Sequence, residues 1–119
     1  MQIFQEFTFD AAHRFTAAPP GHKHERLHGH SFAARVVIEG DPDRETGFVV
    51  DIDVLAHACA DVRMVLDHSY LNDIEGLGVP SLENIAIWIW RRLEPAFDGL
   101  ARVEVRRDSN RHGCVYDGP

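Results

Sequence analysis

The sequence predicts an α+β fold in the order β-β-α-α-β-β, with two helices on one face of a four-stranded antiparallel sheet. Three observations carry this prediction. Two apolar/polar alternations, at residues 2–10 and 28–40, open the chain with one loop between them. Two stripes of apolar residues spaced three and four apart occupy the middle. Two further alternations, at 101–107 and 113–116, close it across a short polar turn.

Each element has its own warrant. Residues 2–10 place Ile3, Phe7 and Phe9 on one face and Glu6 and Thr8 on the other. Phe4 breaks the alternation, so cover on both sides is expected. A loop follows, marked by Pro19-Pro20-Gly21. It carries His22, Lys23, His24, Glu25 and Arg26, a dense run of ionisable groups of the kind that functional loops carry. The second strand is expected from His28 to about Gly40. It has Phe32, Ala34, Val36 and Ile38 on one side and Ala33, Arg35, Val37 and Glu39 on the other.

Asp41 to Gly47 reads as a turn and Phe48-Val49-Val50 as a short extended piece. Asp51 is the expected N-cap of a helix whose apolar stripe is Val54, Leu55, Ala58, Cys59, Val62, Val65 and Leu66. That helix ends at Asp67-His68-Ser69-Tyr70-Leu71-Asn72, and Asp73 to Pro80 reads as loop. Ser81 caps a second helix with the stripe Leu82, Ile85, Ala86, Ile89, Trp90 and Leu93, widened by Ile87 and Trp88. Pro95 and Gly99 end it. In the strand that follows, Ala101, Val103 and Val105 oppose Arg102, Glu104 and Arg106. The strand at Gly113–Tyr116 pairs back through Asp108–His112.

The bulk numbers narrow the class. The chain has 119 residues, the size of one domain, expected to span 1–119. Its formal net charge is −7, with one lysine beside eleven arginines. An acidic chain without a basic tail argues against a nucleic-acid partner. It leaves room for an anionic small molecule, met by local cations such as Arg14, Lys23, Arg26, Arg106, Arg107 and Arg111. Cys59 and Cys114 form no CxxC and read as small buried hydrophobes. Neither a signal peptide nor an apolar run of membrane-spanning length is visible, so a cytoplasmic, membrane-free protein is expected.

The chemistry concentrates at Leu27-His28-Gly29-His30-Ser31-Phe32. In a strand, residues two apart share a face, so His28 and His30 present two imidazoles side by side. If the first two strands pair antiparallel, His13 lands beside them. Three neutral imidazoles form a catalytic-type zinc site with one coordination position open. Asp67 and His68 form a second candidate group, a carboxylate placed to orient an imidazole. The bland alternative is that they only terminate a helix.

Phe9-Asp10-Ala11-Ala12-His13-Arg14, Leu27-His28-Gly29-His30-Ser31-Phe32, Gly47-Phe48-Val49-Val50-Asp51, Leu66-Asp67-His68-Ser69-Tyr70-Leu71-Asn72 and Pro80-Ser81-Leu82-Glu83-Asn84 follow one another in order. Together they resemble the 6-pyruvoyltetrahydropterin synthase and 6-carboxytetrahydropterin synthase family over nearly the whole chain. Gly21-His22-Lys23 and the short length are closer to the bacterial 6-carboxytetrahydropterin synthases of queuosine-type deazapurine synthesis. The resemblance implies the tunnelling fold, in which sheets of several subunits close into a barrel, commonly a homohexamer made of two trimers. It implies zinc on His13, His28 and His30, the small-molecule substrate 7,8-dihydroneopterin triphosphate, and a proton relay through Asp67 and His68.

Two departures from the family pattern bear on the reaction. The family's catalytic cysteine, in the loop before H-x-H, is matched here by His24. Three roles stand for His24: a general base in the cysteine's place, an extra zinc ligand, or an idle loop residue. The family's pterin-anchoring glutamate is matched most closely by Asp108, with Glu83 as the nearest alternative carboxylate. Lys23, Arg14 and Arg26 are the candidate phosphate contacts. The functions carried forward are a zinc-dependent lyase eliminating triphosphate, a pterin side-chain-cleaving or 6-pyruvoyl-type relative, and a non-catalytic pterin- or zinc-binding homologue.

Overall fold

The computed structural model describes all residues, 1–119. Strand β1 (Gln2–His13) and strand β2 (His28–Glu39) pair antiparallel along twelve residues, from Gln2 opposite Glu39 to His13 opposite His28. The first strand therefore runs further than the residue pattern suggested, through Ala11 to His13, while the second ends at Glu39, within a residue of the expected end. Helix α1 (Ile52–Leu66) follows, then a two-residue strand β3 (Ser69–Tyr70) and a single turn of 3-10 helix at Leu71–Asp73. Helix α2 (Leu82–Leu93), strand β4 (Leu100–Arg107) and strand β5 (His112–Tyr116) complete the chain.

The sheet has five strands in the order β3-β1-β2-β4-β5 rather than the expected four. The extra strand pairs parallel, Ser69 and Tyr70 alongside Ala11 and Ala12. Two residues are too few to leave an alternation, so their pairing is decided by docking and not by pattern. Phe48–Val50 forms no strand, and Val49 and Val50 make a bend.

The core lies between the helices and one sheet face. Phe9, Phe32, Val36, Val103 and Val105 from the sheet meet Leu55, Cys59, Leu66, Ile85 and Ile89 from the helices. Both predicted caps form. Asp51 accepts from the backbone N–H of Asp53, and Ser81 accepts from that of Asn84. On α1 the buried stripe narrows to Leu55, Cys59, Val62 and Leu66, while Val54 turns outward. A register shift between Val37 and Ile38 skips Ala101, so Leu100 fills the core opposite Ile38.

The other sheet face is open and laced with charge. Arg35 reaches Glu6 at 2.7 Å, and Arg106 lies 3.6 Å from Glu104. Ala33 and Val37 are buried on this side beneath long charged side chains. Phe4 is 52% exposed, with the Arg35 guanidinium 4.5 Å from its ring. Within one chain the expected cover over Phe4 is thus a single arginine. No helix is long and apolar enough to cross a membrane.

Candidate functional site

The β1–β2 register builds the site. Residues directly opposite in an antiparallel pair share a face. His13 stands opposite His28, and Ala11 opposite His30, so all three imidazoles extend the core row begun by Phe9 and Phe32. Phe9 and Phe32 stack at 4.9 Å, and the His13 and His30 rings meet Phe32 edge-on at 6.0 and 5.9 Å. The cluster is therefore seated on packed aromatics. One potential ligand atom from each of His13, His28 and His30 lies within 4.8 Å of the others.

Backbone carbonyls set the orientation of two rings. His13 Nδ1 lies 2.9 Å from the Pro80 carbonyl, and His28 Nδ1 lies 2.6 Å from that of Arg26. A carbonyl only accepts, so both Nδ1 atoms carry the proton and both Nε2 atoms present lone pairs. Those two Nε2 atoms are 3.0 Å apart. Two lone pairs facing each other at that distance repel unless a cation lies between them. An additional proton is disfavoured at His13, whose pKa is lowered mainly by burial, against the opposing Pro80 bond and with smaller help from His28 and Arg107. His30 is pushed down to about 4, by burial first and then by Arg107. Three converging imidazoles, two of them with the second nitrogen tethered to a backbone carbonyl, are a donor set that fits a metal ion.

A cavity of about 580 Å³ opens beside the cluster, lined among others by His13, Phe15, His24, Phe32, Glu83 and Arg107. His24 is carried on the loop, which is strapped down by the Phe15 N–H donating to the His24 carbonyl at 2.8 Å. The His22 and His24 rings stack at 4.8 Å, and His24 stands 6.4 Å from the His28 ring. The His24 pKa is lowered by partial desolvation first, then by the neighbouring His22 and Lys23. Glu83 reaches the cavity because Ser81, Leu82 and Glu83 open helix α2 there. Lys23 is exposed and does not line it, and Arg14 is engaged with Glu25 at 2.8 Å.

Asp67 and His68 lie elsewhere. His68 belongs to a separate recess of about 470 Å³ that includes Asp10, Gly29, His30 and Ser31. Asp67 accepts from the Asp10 N–H and from His68 Nδ1, both at 2.9 Å. Arg63 stands 3.2 Å from the same carboxylate. His68 has φ +56°, uncommon for a residue with a Cβ, and its N–H donates to the Asp10 carbonyl at 2.7 Å. The side chain is 82% exposed. A single chain thus does not bring His68 and His24 to one cavity.

Asp108 also stands apart. It sits on the turn between β4 and β5, pairs with Arg106 at 3.1 Å, and is not among the residues of the large cavity. Its neighbour Arg107 is. Arg107 Nη1 lies 2.8 Å from His30 Nε2, and its Nε donates to His112 Nε2 at 2.9 Å. His112 was not among the expected site residues, and Arg107 was expected only as one of six local cations, although parity marks it: Arg107 is in phase with buried Val103 and Val105. The thiols play no part in the large cavity. Burial raises Cys59 to about 11, and Cys114 is also raised by burial.

Comparison with known proteins agrees with this geometry. A Synechocystis sp. protein named 6-carboxy-5,6,7,8-tetrahydropterin synthase is 48% identical, over 87% of this chain and 83% of that protein. A dihydroneopterin monophosphate aldolase from Pyrococcus furiosus is 38% identical, again over 87% and 83%. The structure of Caenorhabditis elegans 6-pyruvoyl tetrahydropterin synthase superposes with a TM-score of 0.89 at 24% identity, covering 100% of this chain and 96% of that one. The family model described as 6-pyruvoyl tetrahydropterin synthase matches residues 2–119. With its histidine cluster, its fold and this match agreeing along the whole chain, the protein belongs to the 6-pyruvoyl tetrahydropterin synthase family of lyases.

Proposed function

We propose that the chain is a zinc-dependent pterin lyase of the 6-carboxytetrahydropterin synthase type, acting on 7,8-dihydroneopterin triphosphate with elimination of triphosphate. The observation that carries this reading is the convergence of His13, His28 and His30 beside a cavity of about 580 Å³. The 48% identical relative supports the choice of reaction. Zinc bound to the three imidazoles would supply Lewis acidity to the oxygens of the substrate side chain.

The chain's own residues do the rest. Phe15 and Phe32 give the cavity apolar walls for a flat ring. Glu83, which lines the cavity where Asp108 does not, is the carboxylate assigned to accept from the pterin N–H edge. His24, held below its ordinary pKa, is neutral near pH 7 and accepts a proton from the side-chain carbon at a ring nitrogen. Asp67 holds His68 by Nδ1, which leaves Nε2 as the atom for proton exchange. Because His68 opens onto the other recess, this reading requires a homo-oligomer, in which a neighbouring copy presents His68 to the cavity. The hexamer implied by the resemblance is the assembly proposed. Lys23, exposed on the loop, is available to the triphosphate.

A second reading has its own support. The 38% identical relative is named an aldolase, and no thiol lines the cavity. Cleavage of the side-chain carbon–carbon bond would leave a hydroxymethyl pterin and keep the phosphates on the departing fragment. One assay separates the two. Protein of measured zinc content is given 7,8-dihydroneopterin triphosphate, and pterin products and free triphosphate are quantified. Free triphosphate with a 6-carboxytetrahydropterin product is expected. Hydroxymethyl pterin without free triphosphate would replace the lyase with the aldolase, and no turnover with zinc in place would remove both.

A further inference from the structure

Arg107 carries the inference furthest. Five arginines are half-buried: Arg14, Arg35, Arg102, Arg106 and Arg107. Four of them have carboxylates within ion-pair distance, Arg14 with Glu25, Arg35 with Glu6, Arg102 with Asp117 and Arg106 with Asp108. Arg107 has none. Its two protein partners are imidazoles, His30 through Nη1 and His112 through Nε. A guanidinium offers five N–H donors and accepts nothing, so the remaining donors have no protein acceptor. They are not sealed away, since Arg107 lines the large cavity.

The surroundings favour an anion there. A neutral imidazole has a single lone pair, so when His30 ligates a metal ion it no longer accepts from Arg107, and the guanidinium stands beside a second cation with one partner fewer. Like charges at that range repel unless a negative group lies between them. The first residues of helix α2, Ser81 to Glu83, line the same cavity and add the positive end of a twelve-residue helix. Glu83 is the one carboxylate on the cavity wall, and it is not within ion-pair distance of Arg107. The cavity therefore offers an acceptor for ring N–H groups and, separately, an unneutralised cation.

We propose that Arg107 is a specificity-determining residue that binds an oxyanion of the ligand, a phosphate ester or carboxylate, beside the three-histidine cluster. Bidentate geometry suits a guanidinium to both groups. The proposal deepens the pterin reading and, for the identity of the ligand, rests on it. The departing phosphate of a neopterin side chain and the carboxylate of a carboxypterin product share this chemistry.

Calorimetry on the full-length chain, with zinc content measured for each sample, tests it. The probes are neopterin, neopterin monophosphate, pterin-6-carboxylate and inorganic phosphate. The wild-type chain should bind neopterin monophosphate, pterin-6-carboxylate or both more tightly than neopterin, and the arm that shows the larger preference identifies the anion. In Arg107→Met the preference should fall by roughly tenfold to a hundredfold, the worth of a charge-assisted pair, with neopterin affinity kept. Arg107→Lys should keep part of it, and imidazole ¹⁵N shifts of His30 and His112 should move on adding phosphate to the wild-type chain. Equal preference in wild type and Arg107→Met would overturn the proposal while leaving the pterin reading intact. If no pterin binds but phosphate moves both imidazoles in an Arg107-dependent way, the pterin reading falls and the oxyanion site stands. Unmoved imidazoles together with an unchanged Arg107→Lys profile would overturn it even if Arg107→Met failed to fold.

Discussion

Two groups of histidines meet at one cavity, the first through His13 and the second through His22 and His24, and they are held in different ways. His13, His28 and His30 stand on a twelve-residue antiparallel ladder over stacked phenylalanines, and backbone carbonyls hold the free ring nitrogens of two of them. His22 and His24 stand on a loop and lean on each other, with no carbonyl tether on either ring. On the proposed reading, the difference separates a position that holds an ion in place from one that exchanges a proton. Tethering sets the tautomer and the direction of the lone pair, which a ligand needs. A proton carrier needs a ring nitrogen left free and a pKa near the working pH.

The largest expected effect tests the tethered group. His28→Ala removes a ligand and leaves His13 Nε2 facing empty space. Bound zinc, measured by elemental analysis after dialysis, should fall from one per chain to near none, a greater loss than the roughly 10–100-fold caused by losing a supporting partner. Retention of one zinc per chain would show that the facing nitrogens serve something else.

The loop group should behave in the opposite way. His24→Ala should keep its zinc and lose turnover by about 10²–10⁴-fold, the usual scale for one acid–base group. His24→Cys should form 6-carboxytetrahydropterin faster than the wild-type chain. An unchanged rate in His24→Ala would leave His24 with no part in proton transfer, and lost zinc would make it a ligand after all.

The smallest effect concerns Asp67, which is tethered but stands outside the large cavity. The Asp10 N–H and the His68 ring hold its carboxyl below the ordinary 3.8. The folded state therefore favours the ionised form. That contribution is complete above about pH 4 and is lost as pH falls through the lowered value. Asp67→Asn should melt at a lower temperature at pH 7, with the gap to wild type closing below pH 4. Thermal melts from pH 2.5 to 7 would show this, and a gap that widens in acid would contradict it.

The strongest part of the site was legible because a strand has a period of two. His28 and His30 share a face by spacing alone, and His13 joins them once the first two strands pair. The helix caps Asp51 and Ser81 were equally legible, since short polar side chains before an apolar stripe have a local reason to be there. Arg107 could have been found by the same counting. Its phase with Val103 and Val105 turns it inward, whereas Asp108, one residue on, goes with Arg106 to the other side. A one-residue step changes faces, and family resemblance pointed to the carboxylate without weighing that step.

What the amino-acid sequence determined by itself was the element order, the core faces and the three-histidine cluster, because each follows from periodicity within one strand or helix or from pairing of neighbouring strands. What only the tertiary structure decided was which side groups share a space. The two-residue strand Ser69–Tyr70 docks parallel to β1 and places His68 in its own recess. The turn after β4 leaves Arg107 against His30 without a carboxylate. Both are contacts between segments distant in the chain, set by packing and backbone hydrogen bonds that no local pattern encodes.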